Sequence, residues 1–254
     1  MTTVLVIALN TFKENLRDKI LYNLVIFGLL LVGSSLLLAS LTIQEQEKIV
    51  KDIGLATINL FGVLIAIFVG IGLVTKEIEK RTIYTILAKP VRRFQFLLGR
   101  YCGLALILLV NLLVMTAAFV AVLALGGARP TPGLFQAISL MFLEQLVVVA
   151  VTVMFSTFTT PTLSAVFGLG IYVIGRLVGE LKALGEKAPS GAFKALIEGL
   201  YYVLPNYASF DIKLQAAYGT AVSAAYLASA AGYGLAYAAT ILVLACLIFQ
   251  QRDF

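Results

Sequence analysis

YCGLALILLVNLLVMTAAFVAVLAL, residues 101–125, carries no charged side chain across 25 consecutive positions. A helix rises about 1.5 Å per residue, so about 20 predominantly apolar residues cross the roughly 30 Å hydrocarbon core of a bilayer. No water is present there to satisfy backbone polar groups, and a run of this length and composition therefore predicts a membrane-spanning helix. Its one amide, Asn111, is of the kind that hydrogen-bonds between helices in lipid.

The same criterion applied outward predicts further spans at about 20–42, 53–75, 136–159, 161–179 and 222–249, six in all. The chain is 61% hydrophobic and 13% charged, with a mean hydropathy of +1.00. A soluble domain carries about a quarter charged residues, so the composition predicts an all-α integral membrane protein, a single membrane domain over residues 1–254. The net charge of +6 gathers at the ends of apolar runs. There it acts as a topology and headgroup signal and forms no stripe suited to nucleic acid. Histidine is absent, and Cys102 and Cys246 are the only thiols. That leaves too few ligands for a zinc, haem or iron–sulfur centre. Both thiols lie near predicted span ends, where they are expected to stay reduced and pack. The N-terminus lacks the basic, apolar, small-residue order of a secretory signal.

Leu5, Ala8, Leu9, Phe12 and Leu16 recur at helical spacing before the first span, with Lys13, Glu14, Arg17 and Asp18 on the other face. Residues 3–19 thus predict an interfacial helix, or alternatively an extension of the first span into water. Residues 76–100 hold seven basic side chains against Glu77 and Glu79, whereas 43–52 is nearly balanced and 126–135 contains only Arg129. The positive-inside rule then puts the 76–100 loop and both termini in the cytoplasm. Thr159-Thr160-Pro161 leaves almost no link between spans four and five and forces them into an antiparallel pair, with Thr160 at the N-cap and Pro161 first in the helix. The external segment 180–221 carries an apolar stripe of Phe193, Leu196, Ile197, Leu200, Tyr201 and Leu204, stopped by Pro205-Asn206. It either lies on or dips into the outer leaflet, or it caps the bundle.

The ionisable residues inside the spans are Glu144 and Arg176. Charges at membrane depth are expensive and face a partner or a water-filled path. Glu144 is expected about two turns inside the outer end of its span and Arg176 near the outer end of the next, so the two can meet. Their pairing would either lock two helices or line a pathway, and Asn59 and Asn111 carry the same two readings. Small residues at four-residue spacing, Gly62-Ala66-Gly70, Gly175-Gly179 and Ala228-Gly232-Ala236, predict close helix approach within a protomer or across a dimer. No phosphate-binding loop, nucleophile elbow or histidine-containing triad occurs.

The loop from Lys76 to Arg100 is the most informative soluble piece. Ile78, Ile83, Ile86 and Leu87 form one apolar face of a short helix that Pro90 ends. Such a helix suits docking to a cytoplasmic partner or, alternatively, rests on headgroups alone. Glu79, Arg81-Thr82, the apolar run Ile83 to Leu87, Pro90, Arg92-Arg93, Phe94 to Leu98 and Gly99-Arg100 follow in order. In this order the loop resembles the second cytoplasmic segment of the permeases of type 2 ATP-binding-cassette exporters. Arg81 stands where that family often has Gly, and Arg100 where it has Lys. The 3–19 helix is similar to the family's elbow helix, and Phe155-Ser156-Thr157 and the Leu-Pro-Asn core of 201–210 are similar too.

The resemblance implies a non-catalytic permease subunit of an ATP-driven exporter, paired with a second permease copy, identical or related, and with two cytoplasmic ATPase subunits. It implies that ATP and magnesium sit on the partner and that no cofactor sits on this chain. A coupling helix would contact the ATPase through Glu77, Glu79, Arg81, Thr82, Leu87 and Pro90. The expected location is a bacterial or archaeal cytoplasmic membrane. The competing reading is a stand-alone ion- or proton-coupled transporter, which needs coupling charges at mid-depth and has only Glu144 to offer. A membrane enzyme or scaffold has less support still.

Overall fold

A computed structural model describes residues 3–40, 46–79, 92–186 and 191–251. Among them all regular structure is helical. The order is α1 (Thr3–Asn15), α2 (Lys19–Ser40), α3 (Gln46–Glu79), α4 (Arg93–Leu125), α5 (Pro132–Ser156), α6 (Pro161–Arg176), α7 (Val178–Glu186) and α8 (Gly191–Val203). A 3-10 turn (Tyr207–Phe210), α9 (Lys213–Ala217) and α10 (Ala224–Gln251) complete it. α3, α4, α5 and α10 are long and apolar enough to cross a membrane, and α2 and α6 provide shorter apolar stretches, Lys19–Ser35 and Pro161–Arg176. The chain is a multi-pass helical membrane protein.

Local chemistry sets the helix ends. Pro132 and Pro161 each occupy the first turn of their helix behind a threonine, where a missing N–H costs nothing and the fixed φ suits the helix. The backbone N–H of Arg92 donates to Gln95 Oε1 at 3.3 Å and closes the start of α4. Gly127, at φ +73, takes the left-handed conformation that turns α4 into α5.

Several helices run beyond the expected span edges. α4 begins eight residues before position 101, so Phe94 to Arg100 are helical, and α3 continues through Glu79. α5 begins at Pro132, four residues before position 136. α6 ends at Arg176 where Leu177 breaks the helix, short of residue 179.

α5 is the axis of the bundle. The whole run from Val147 to Val153 is buried, as a helix apolar on all sides requires. Glycines bring its neighbours close. A Cβ on Gly70 would meet the Thr152 side chain at 3.0 Å and one on Gly168 would meet Thr152 Oγ1 at 2.9 Å, so Thr152 sits between α3 and α6. Gly62 likewise receives Gln145. Within the protomer, Gly62 and Gly70 of α3 and Gly175 of α6 are closely packed, Gly179 and Gly232 have nothing within 4 Å, and the close approach on α10 is Gly234 against Phe210. Cys102 is exposed and so does not pack as expected, while Cys246 is half-buried.

α1 lies across the start of α4. A Cβ on Gly99 would meet Ile7 Cβ at 2.8 Å, and one on Gly103 would meet Ala8 O and Thr11 Cβ at 2.6 Å. Glu14 Oε2 accepts from Arg100 Nη1 at 3.0 Å. Of the expected apolar stripe, Ala8, Phe12 and Leu16 turn to the bundle, while Leu5 and Leu9 are exposed. Arg93 Nη1 donates to the carbonyls of Phe249 and Gln250 at 3.1 and 3.0 Å, placing a cation at the C-terminus of α10. These contacts define a basic end of the bundle.

Candidate functional site

At the other end, the chain between α8 and α9 folds back among the helices. Three tyrosines on α10 hold it: Tyr237 donates to Val203 O at 2.9 Å, Asn206 N–H donates to Tyr233 Oη at 2.8 Å, and Tyr226 donates to Ser209 O at 2.8 Å. Tyr226 and Tyr237 are 11 residues apart on α10, or about 16 Å of rise. Residues 203–209 therefore run alongside α10 at bundle depth and do not rest on top of it. Non-helical backbone at that depth is tolerated where protein buries it or where it lines a water-filled cavity. Tyr207 and Phe210 are each 1% exposed, and a Cβ on Gly175 of α6 would meet Pro205 O at 2.4 Å.

This re-entrant segment meets a buried ionic cluster. Glu144 lies 12 residues from each end of α5, about 18 Å by helical rise. That is mid-helix, deeper than the two turns expected, because α5 starts earlier. Its carboxylate is 1% exposed and takes two donors: Asn59 Nδ2 of α3 at 2.5 Å and Arg176 Nη1 of α6 at 2.9 Å. Tyr172 donates to Asn59 Oδ1 at 3.2 Å and places its ring 5.8 Å from the Arg176 guanidinium carbon. The second guanidinium nitrogen, Arg176 Nη2, donates to Asp211 Oδ2. Asp211 also holds Lys213 Nζ at 3.3 Å and accepts from the Lys213 backbone N–H at 3.3 Å. The cluster holds two acids and two bases, so it is formally neutral, as burial in a low-dielectric interior demands.

The structure therefore joins Asn59, Glu144 and Arg176 and leaves Asn111 apart, donating to Ile107 O of its own helix at 2.9 Å. The α5–α6 pairing follows from the tight turn. Thr152 faces Gly168 and Glu144 faces Arg176, a register symmetric about Thr160. Tyr172, Asp211 and Lys213 complete the cluster and were not singled out from sequence. A tyrosine one turn before Arg176 and an Asp-x-Lys pair flanking Ile212 are the signals that mark them.

Glu77 and Glu79 lie in the last turn of α3 at the basic end. Arg81, Thr82, Leu87 and Pro90 lie outside the described residues. Among the described residues no group of acid, cysteine or histidine side chains is arranged to hold a metal.

A family model described as ABC-2 family transporter protein matches residues 5–254. Among curated proteins none matches the chain.

Proposed function

The chain belongs to the ABC-2 transporter family, and we propose that it is the membrane permease of an ATP-driven exporter, a single membrane domain powered by separate ATPase subunits. The observation that carries this reading is the family match over nearly the whole chain, on a sequence with no nucleotide-binding loop of its own. An ABC-type permease without such a loop takes its energy from another chain. Two ATPase subunits, holding ATP and magnesium, and a second permease copy form the complete transporter.

Six spans make up the bundle in this proposal. α2 has 22 helical residues, about 33 Å of rise, which suffices for a crossing. The 16 residues of α6 give about 24 Å, and α7 with the re-entrant segment fills the remaining depth. Six crossings and the basic residues at 76–100 put the termini and that loop in the cytoplasm. α1 is the elbow helix: its Leu5 and Leu9 face outward as an interfacial helix requires, while Gly99 and Gly103 of α4 seat it on that helix.

The coupling contact is formed by Glu77, Glu79, Arg81, Thr82, Leu87 and Pro90. α4 starts directly after that loop, and its first turns hold α1 and the end of α10 through Arg100 and Arg93. A push on the loop is thereby delivered to three helices together. A photo-crosslinking amino acid at Leu87 tests this reading. The expected adduct is an ATPase chain bearing a phosphate-binding loop, identified by mass spectrometry. Adducts with lipid alone contradict it.

A further inference from the structure

We infer that the contact between Arg176 and Asp211 is a separable clasp that holds the re-entrant segment closed against α6. The inference deepens the exporter reading, since an outward path requires that end of the bundle to open. It rests on how the four charges are divided. Glu144 neutralises Arg176 on the helix side, and Lys213 neutralises Asp211 on the segment side. A buried ion pair is ordinarily hard to separate because parting strands two uncompensated charges. Here the line of parting runs between two pairs, and each remains neutral when they separate.

The surroundings are graded to match. Glu144 is 1% exposed and fixed by Asn59 as well as Arg176, so the inner pair stays in place. The side chains of Asp211 and Lys213 are 31% and 18% exposed, so the outer pair is less enclosed than the inner one. The other edge of the segment is bound to α10 by the hydroxyls of Tyr226, Tyr233 and Tyr237. The segment therefore moves with α10, and the joint opens along α6. On that side the remaining contacts are packing ones, Tyr172 against Tyr207 with ring centroids 5.2 Å apart and the close seat on Gly175.

The two charges of the outer pair have opposite roles, and this gives the test. Ile212, between them and 2% exposed, is replaced by cysteine as a reporter in the full chain held in lipid nanodiscs. Maleimide modification at position 212 is timed by mass spectrometry, which separates it from Cys102 and Cys246. Asp211→Asn leaves Lys213 without its counter-ion and facing Arg176, and is expected to raise the modification rate about tenfold by shifting the population toward the open form. Lys213→Gln makes Asp211 depend on Arg176 alone, and is expected to lower the rate. A fixed brace would loosen in both variants. Faster modification in Lys213→Gln, or an unchanged rate in a folded Asp211→Asn, overturns the clasp. If Asp211→Asn does not fold, the direction of change in Lys213→Gln decides by itself, and there an unchanged rate also overturns it. No ATPase is present in the assay, so its failure leaves the exporter reading untouched.

Discussion

Arg176 Nη1 lies 2.9 Å from Glu144 Oε1, and the carboxylate it meets is 1% exposed at the midpoint of α5. Removing one partner of such a pair leaves a buried charge alone, which costs about 3–5 kcal/mol. Glu144→Ala is therefore expected to lower stability by about 3 kcal/mol, at the lower end because Asp211 still compensates Arg176. The double replacement Glu144→Leu with Arg176→Met leaves Asp211 with Lys213 and strands no charge, although Asn59 loses its acceptor. It is expected to be more stable than Glu144→Ala, measured by thermal unfolding in detergent, with the wild type, Glu144→Leu, Arg176→Met and the double forming a double-mutant cycle.

The seat of the re-entrant segment is decided at one glycine. A Cβ at Gly175 would lie 2.4 Å from Pro205 O and 2.7 Å from the Tyr207 ring, while Gly179 four residues on has nothing within 4 Å. Gly175→Ala is expected to cost about 1–3 kcal/mol by overpacking, with faster hydrogen exchange over 203–210. Gly179→Ala is expected to leave both unchanged.

Much of this was legible in the sequence where the physics is local or solvent-driven. Long apolar runs give the helices because lipid permits little else. The meeting of Glu144 with Arg176 follows from Thr160-Pro161, since so short a turn fixes the antiparallel register. Asp211 and Lys213 were not legible. They sit in residues 204–213, which show neither the period of a helix nor that of a strand, and only the tertiary contacts of Tyr207 and Phe210 bring them to bundle depth. The depth of Glu144 was missed through Thr131-Pro132, the same N-terminal signal that was recognised at Thr160-Pro161. The start of α4 was missed because Arg92, Arg93 and Arg100 look like a loop by charge. In the structure Arg100 is 8% exposed, held against Glu14 on α1.

The packing of α1 on α4 can be broken at a single position. A Cβ at Gly103 would stand 2.6 Å from Ala8 O, a backbone atom that cannot swing aside. Gly103→Ala is expected to cost about 1–3 kcal/mol and to raise hydrogen exchange across α1 while α10 stays protected.

At the basic end, Glu79 closes α3 and leads into the proposed coupling contact. Reversing its charge with Glu79→Lys is expected to leave the permease folded, checked by thermal unfolding. The same variant is expected to uncouple the complex: ATP hydrolysis by the partner continues while transport is lost. Retained transport per ATP hydrolysed would place the contact elsewhere.

The most direct measurement is the composition and energy requirement of the assembly isolated from native membranes through this chain. A permease powered from outside copurifies with a stoichiometric ATPase that carries a phosphate-binding loop, and transport by the reconstituted assembly stops when ATP is withheld. A chain that purifies without any ATPase and transports on a proton or ion gradient alone contradicts the proposal.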